Sequence, residues 1–155
     1  MKTILRMMDH LYWANKRMHA ALLAEPAVIP EIVTLLRHIV ASERVWLTRL
    51  EGKSSAGYSL WEEAELAPLI DEMTDNERGY RRYAAGLTER RLDELVRYAN
   101  QSGQSYETSI RDILTHVALH GQYHRGQINV KLRATEGHPV GMDFILFARE
   151  GGAAK

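Results

Sequence analysis

Apolar residues recur at three- and four-residue steps along four long stretches of the chain, the spacing that lines one face of an α-helix. In the first stretch Ile4, Met7, Met8, Leu11, Met18 and Leu22 form the stripe, and Pro26 and Pro30 close it. The second runs from about Glu31 to Leu50, with Pro30 at its first turn and Gly52 past its end. Its apolar positions, from Ile32, Leu35 and Leu36 to Val45, Trp46, Leu47 and Leu50, cover more than half the circumference. So broad a stripe predicts burial on more than one side and a partner helix beyond the monomer, hence a homodimer. Residues 52–60 read as a loop, after which Ser59 and Glu62 match a capping box and predict a short helix. Pro68 restarts a third long helix that runs to about Gly86, with Leu69, Met73, Tyr80, Tyr83 and Leu87 inward.

The period then changes. Residues 94–108, ELVRYANQSGQSYET, alternate apolar and polar positions about a polar turn containing glycine, the pattern of a β-hairpin. A fourth helix starts near Ser109 and ends near Thr135, with Gly137, His138 and Pro139 beyond it. The short apolar tail VGMDFILFA is expected to pack back on the bundle. The elements predict an all-α fold, a four-helix bundle with a small β-hairpin before the last helix. With no linker or repeat, residues 1–155 read as one domain.

Composition narrows the chemistry. The chain has 155 residues, twenty basic and twenty acidic, with no cysteine and seven histidines. Balanced charge argues against nucleic-acid and anionic-membrane partners. The absence of cysteine removes disulfides, thiolate zinc sites and cysteine nucleophiles together, so a metal site must use nitrogen and oxygen ligands. No stretch resembles a signal peptide or a membrane span, which predicts a cytoplasmic protein.

The fourth helix carries His116, His120 and His124 at successive four-residue steps, the spacing at which two imidazoles can meet on one ion. Measured from the centre of the stripe Ile110, Ile113, Leu114, Val117, Ile128 and Leu132, His124 lies roughly 20° away, His120 roughly 60° and His116 roughly 100°. His120 and His124 therefore face the interior and His116 sits at the rim. Two adjacent imidazoles in an apolar core both need partners. His38, near the edge of the second helix's stripe, is the best candidate for a third ligand, ahead of His10, His19 and His138. No Glu-x-x-His, His-Glu-x-x-His, phosphate loop or Gly-x-Ser-x-Gly elbow is present. Around the histidines, Gln127 lies on the ligand face, Asp112 is placed to pair with His116, and Tyr123 and Arg125 are candidate substrate contacts.

The segments LYWANKRM, LLRHIVASERVWL, HVALHGQYHRGQI and HPVGMDFILF, in that order, resemble the DinB/YfiT-like family of metal-dependent four-helix-bundle proteins. The resemblance spans essentially the whole chain and implies an up-down-down-up bundle, often dimeric. It places one metal-binding histidine on the second helix and two on the fourth, here His38, His120 and His124. The asparagine that often precedes the middle ligand is Leu119 here, and a second histidine often found before the last is Tyr123.

Relatives of this kind include metal-dependent transferases and isomerases that use low-molecular-weight thiols. The resemblance therefore implies a divalent ion, with a small thiol and an electrophilic small molecule as partners; imidazole ligands suit zinc or nickel first and iron or copper next. A metal-dependent hydrolase and a non-catalytic, stress-related metal-binding protein are the alternatives.

Overall fold

The computed structural model describes residues 1–151. Five helices and one hairpin follow in chain order. They are α1 (Lys2–Ala24), α2 (Pro30–Leu50), α3 (Leu69–Ala85), β1 (Leu95–Ala99), β2 (Ser105–Ser109), α4 (Ile110–Ala134) and a six-residue α5 (Phe144–Arg149). α1 and α2 each pack against both α3 and α4, so the four long helices enclose a common interior. No helix among the described residues is long and apolar enough to cross a membrane.

The ends of the elements follow from local chemistry. Pro30 opens α2, where its missing N–H costs nothing, and Glu31 lies in the first turn, complementing the helix dipole. At the start of α4 the Ser109 hydroxyl accepts from the Asp112 backbone N–H at 3.1 Å and donates to the Asp112 carboxylate at 2.7 Å. β1 and β2 pair antiparallel from Leu95 opposite Ser109 to Ala99 opposite Ser105. Gly103, with φ of 81°, supplies the left-handed residue of their turn.

The core falls into two apolar clusters along the bundle. One gathers Ile4, Leu11, Leu47, Leu92, Ile113 and Val117. The other gathers Met18, Ile32, Leu36, Ile39, Ile128 and Leu132. Between them, each long helix contributes a buried polar residue: Asn15 from α1, Glu43 from α2, Asn76 from α3 and Arg125 from α4.

Two expectations change here and a third gains detail. The broad apolar stripe of α2 is covered within the chain by α3 and α4, so its breadth has a cause other than a second copy. No helix forms at Ser59 and Glu62; residues 52–65 run as turns and extended chain, and Leu60 and Trp61 instead contact His38. A single capping-box match is a weak local signal, and the tertiary contact prevails. The tail does pack back, but through a short helix that buries Phe147 and leaves Phe144 and Ile145 exposed.

Candidate metal centre

α2 and α4 lie side by side, and their facing surfaces bring His38, His120 and His124 together. One ring nitrogen from each lies within 4.8 Å of the others. His120 Nε2 is 3.2 Å from His38 Nε2 and 3.1 Å from His124 Nε2.

The opposite ring nitrogens settle which atoms face inward. His38 Nδ1 lies 3.0 Å from the Leu60 carbonyl, which can only accept, so the proton sits on Nδ1 and Nε2 is bare. His124 Nδ1 donates to Gln127 Oε1 at 2.7 Å, with the same result. Two lone pairs therefore aim at His120 Nε2. A proton there could serve one of them, whereas a cation among the three nitrogens satisfies all. Tetrahedral zinc with Zn–N of about 2.05 Å holds its nitrogens about 3.3 Å apart, close to the observed separations. The residues fit a divalent ion.

Electrostatics point the same way. Burial, followed by the neighbouring histidines, pushes His120 down to about 3, and burial also lowers His38. Both stay neutral near pH 7, the state in which imidazole ligates. Trp61 from the irregular segment stacks on His38 with centroids 3.7 Å apart and planes 8° from parallel. Tyr123, two-thirds exposed, stands edge-on to His124 at 5.0 Å.

The other predicted residues separate. Gln127 orients the His124 ring. His116 is exposed at the rim, 5.3 Å from His120 and edge-on to Trp46 at 5.2 Å, outside the cluster. The Asp112–His116 pair does not form, because Asp112 is engaged by Ser109 at the helix start. Arg125 is not a substrate contact: it is fully buried, and its Nη1 donates to Asn15 Oδ1 at 2.7 Å. Asn15 Nδ2 in turn donates to Glu43 Oε1 at 2.7 Å, and Tyr80 donates to the Glu43 carbonyl. Gly121 leaves room for this arginine, since a Cβ there would lie 2.9 Å from Arg125 Nη1. His10, His19 and His138 bind Met142 O, Leu66 O and Glu25 respectively, fastening loops to helices.

Sequence reasoning missed Trp61 and the Leu60 carbonyl. Their one visible signal was a large apolar pair, Leu60-Trp61, inside an otherwise polar and aperiodic stretch.

The chain is 29% identical to "Protein DinB" of Bacillus subtilis (strain 168), over 92% of this chain and 91% of that protein. The DinB family model matches residues 6–152, nearly the full length that carries the four long helices and the histidine triad. The chain therefore belongs to the DinB family.

Proposed function

We propose that the protein is a metal-dependent transferase that joins a low-molecular-weight thiol to an electrophilic small molecule, with His38, His120 and His124 holding a divalent ion. The observation that carries this reading is the convergence of three Nε2 atoms at 3.1 and 3.2 Å, with the far sides of two rings already hydrogen-bonded. Three neutral ligands leave the ion its full charge, and zinc or nickel suits an all-imidazole set. When bound, it supplies Lewis-acid activation of a thiol near neutral pH.

The chain's own residues do the rest. Leu60 and Gln127 fix two rings in the ligating tautomer. Trp61 covers one face of His38 and keeps water from it. Tyr123 offers a hydroxyl and a ring edge at the mouth for an incoming acceptor. With no cysteine in the sequence, the thiol must arrive with a substrate.

The test begins with metal analysis of protein purified without an affinity tag, beside His38→Ala, His120→Ala and His124→Ala. Metal is expected in the wild type and lost in all three variants; unchanged content in all three overturns the site. Metal-loaded protein is then offered electrophiles with and without small thiols. Thiol-dependent turnover supports the transferase, and turnover without thiol or none at all overturns it in favour of a hydrolase or a non-catalytic metal binder.

The reading also includes an up-down-down-up connection of the bundle, a cytoplasmic location and a homodimer. With the α2 stripe covered, the dimer is supported by an apolar groove of about 340 Å3 beside the exposed Leu119 and Phe144, with Ile145 exposed next in sequence. A monomeric mass at micromolar concentration, read by sedimentation, overturns the dimer.

A further inference from the structure

Arg49, near the end of α2, is 7% exposed, and its surroundings differ from those of Arg125. Its Nε donates to Ser55 Oγ at 2.9 Å and its Nη2 to the Ala99 carbonyl at 3.3 Å. The rings of Trp46 and Tyr98 flank the guanidinium, each with its centroid 4.6 Å from the central carbon. No carboxylate among the described residues pairs with it. A desolvated guanidinium without an anion is costly, and such groups are rarely buried unpaired. Nη1 has no hydrogen-bond partner among the described residues and, unlike the sealed Nε of Arg125, is open to solvent.

Arg49 lines a cleft of about 210 Å3 together with Lys53, Ser54, Ser55, Arg97 and Tyr98. Lys53 is paired with Glu51 at 2.7 Å, and Arg97 with Glu107. The cleft therefore carries one uncompensated positive charge. We propose that it binds the carboxylate of a small anionic molecule, with the guanidinium of Arg49 as the recognising group. One spare charge matches a carboxylate better than a doubly charged phosphate, and the guanidinium fork fits two coplanar oxygens. The volume admits a short dicarboxylic acid.

The position of the cleft gives the site a use. Trp46 touches Arg49 on one side and His116 on the other, and His116 adjoins His120. Side-chain contacts thus run in sequence from Arg49 through Trp46 and His116 to His120. A thiol anchored by its carboxylate at Arg49, and long enough to span the roughly 16 Å of α2 that separates Arg49 from His38, deepens the transferase reading and rests on it. Carboxylate binding by Arg49 does not.

The test titrates the full-length protein with sodium succinate at ionic strength held constant with sodium chloride, followed by NMR of the Trp46 indole, the Arg49 Nε–H and the Ser55 amide. Saturable shifts of all three are expected. Arg49→Gln should weaken binding by about tenfold or more, and Lys53→Gln by less than about twofold. Three outcomes overturn the proposal: no saturable shift in the wild type, an unchanged midpoint in Arg49→Gln, or tighter binding of inorganic phosphate than of succinate. If Arg49→Gln does not fold, Arg49→Lys, which keeps the charge and loses the fork, replaces it, and an unchanged midpoint there overturns the proposal equally. Metal content is measured on the same samples. Saturable succinate binding by protein without metal leaves this site standing while the triad reading falls, and the reverse result separates them the other way.

Discussion

Two groups of polar side chains lie between the helices, one fully buried and one half-buried, and they are built on opposite rules. In the Asn15–Glu43–Arg125 group, donors meet acceptors: guanidinium to amide oxygen, and amide nitrogen to carboxylate. In the histidine triad, lone pair faces lone pair, with the protons held on the outer side of two rings. The first group is nearly complete within the chain and lies at the join of two apolar clusters. The second presents an arrangement complementary to a cation. Burial of polar atoms alone does not separate architecture from chemistry; the polarity with which they face one another does.

The largest expected effect falls on the closed group. Arg125→Ala removes the fully buried guanidinium that donates to Asn15 Oδ1 and leaves a void between the two apolar clusters, and should lower unfolding free energy by about 3 kcal/mol or more, read by urea denaturation. A loss below about 1 kcal/mol would place Arg125 with the surface arginines instead. The triad should respond to metal rather than to truncation. Zinc at about one hundred times its dissociation constant should stabilise the wild type by about 2.7 kcal/mol, and His120→Ala should lose that gain while still folding. Equal zinc stabilisation in the variant would remove the contrast between the regions.

Proton linkage separates them further. Burial raises the Glu43 carboxyl to about 7, above its ordinary 4.5, so the folded state holds the proton more tightly than the unfolded chain. The associated stability is present in full below about pH 4.5 and is lost as pH rises through about 7, by at most about 1.4 kcal/mol per unit. Glu43→Gln should flatten that slope in stability measured against pH, and an unchanged slope would assign it elsewhere. The smallest effect concerns orientation. Gln127→Leu should leave stability nearly unchanged and weaken zinc binding by about tenfold, measured by chelator competition. No weakening would mean that the His124 ring needs no support.

Much of the fold and the triad was legible because it is periodic. Stripes at helical spacing outlined all four long helices, and the change to alternation at residues 95–99 marked the hairpin. His120 and His124 were legible because their angle on α4 is fixed by the helix itself. The family resemblance singled out the same His38 that the stripe of α2 favoured. What stayed hidden depends on pairs distant in the chain. Arg125 looks like a solvated residue until Asn15, 110 positions away, is placed beside it. The Ser59–Glu62 pattern suggested a helix because no local rule shows that the Leu60 carbonyl meets a ring 22 residues earlier.

Trp61 lies flat against His38 at 3.7 Å, and that closeness has an optical consequence. Indole emission is sensitive to an imidazole in contact with it and to any paramagnetic or heavy ion held by that imidazole. Of the three tryptophans in the sequence, Trp13 lies against His10 and Phe147, and Trp46 against His116 and Tyr98. The protein thus carries its own fluorophore at the triad. Occupancy could be followed in unlabelled material by light alone, with Trp61→Phe as the control whose remaining emission, from Trp13 and Trp46, lacks the contribution of the indole stacked on His38.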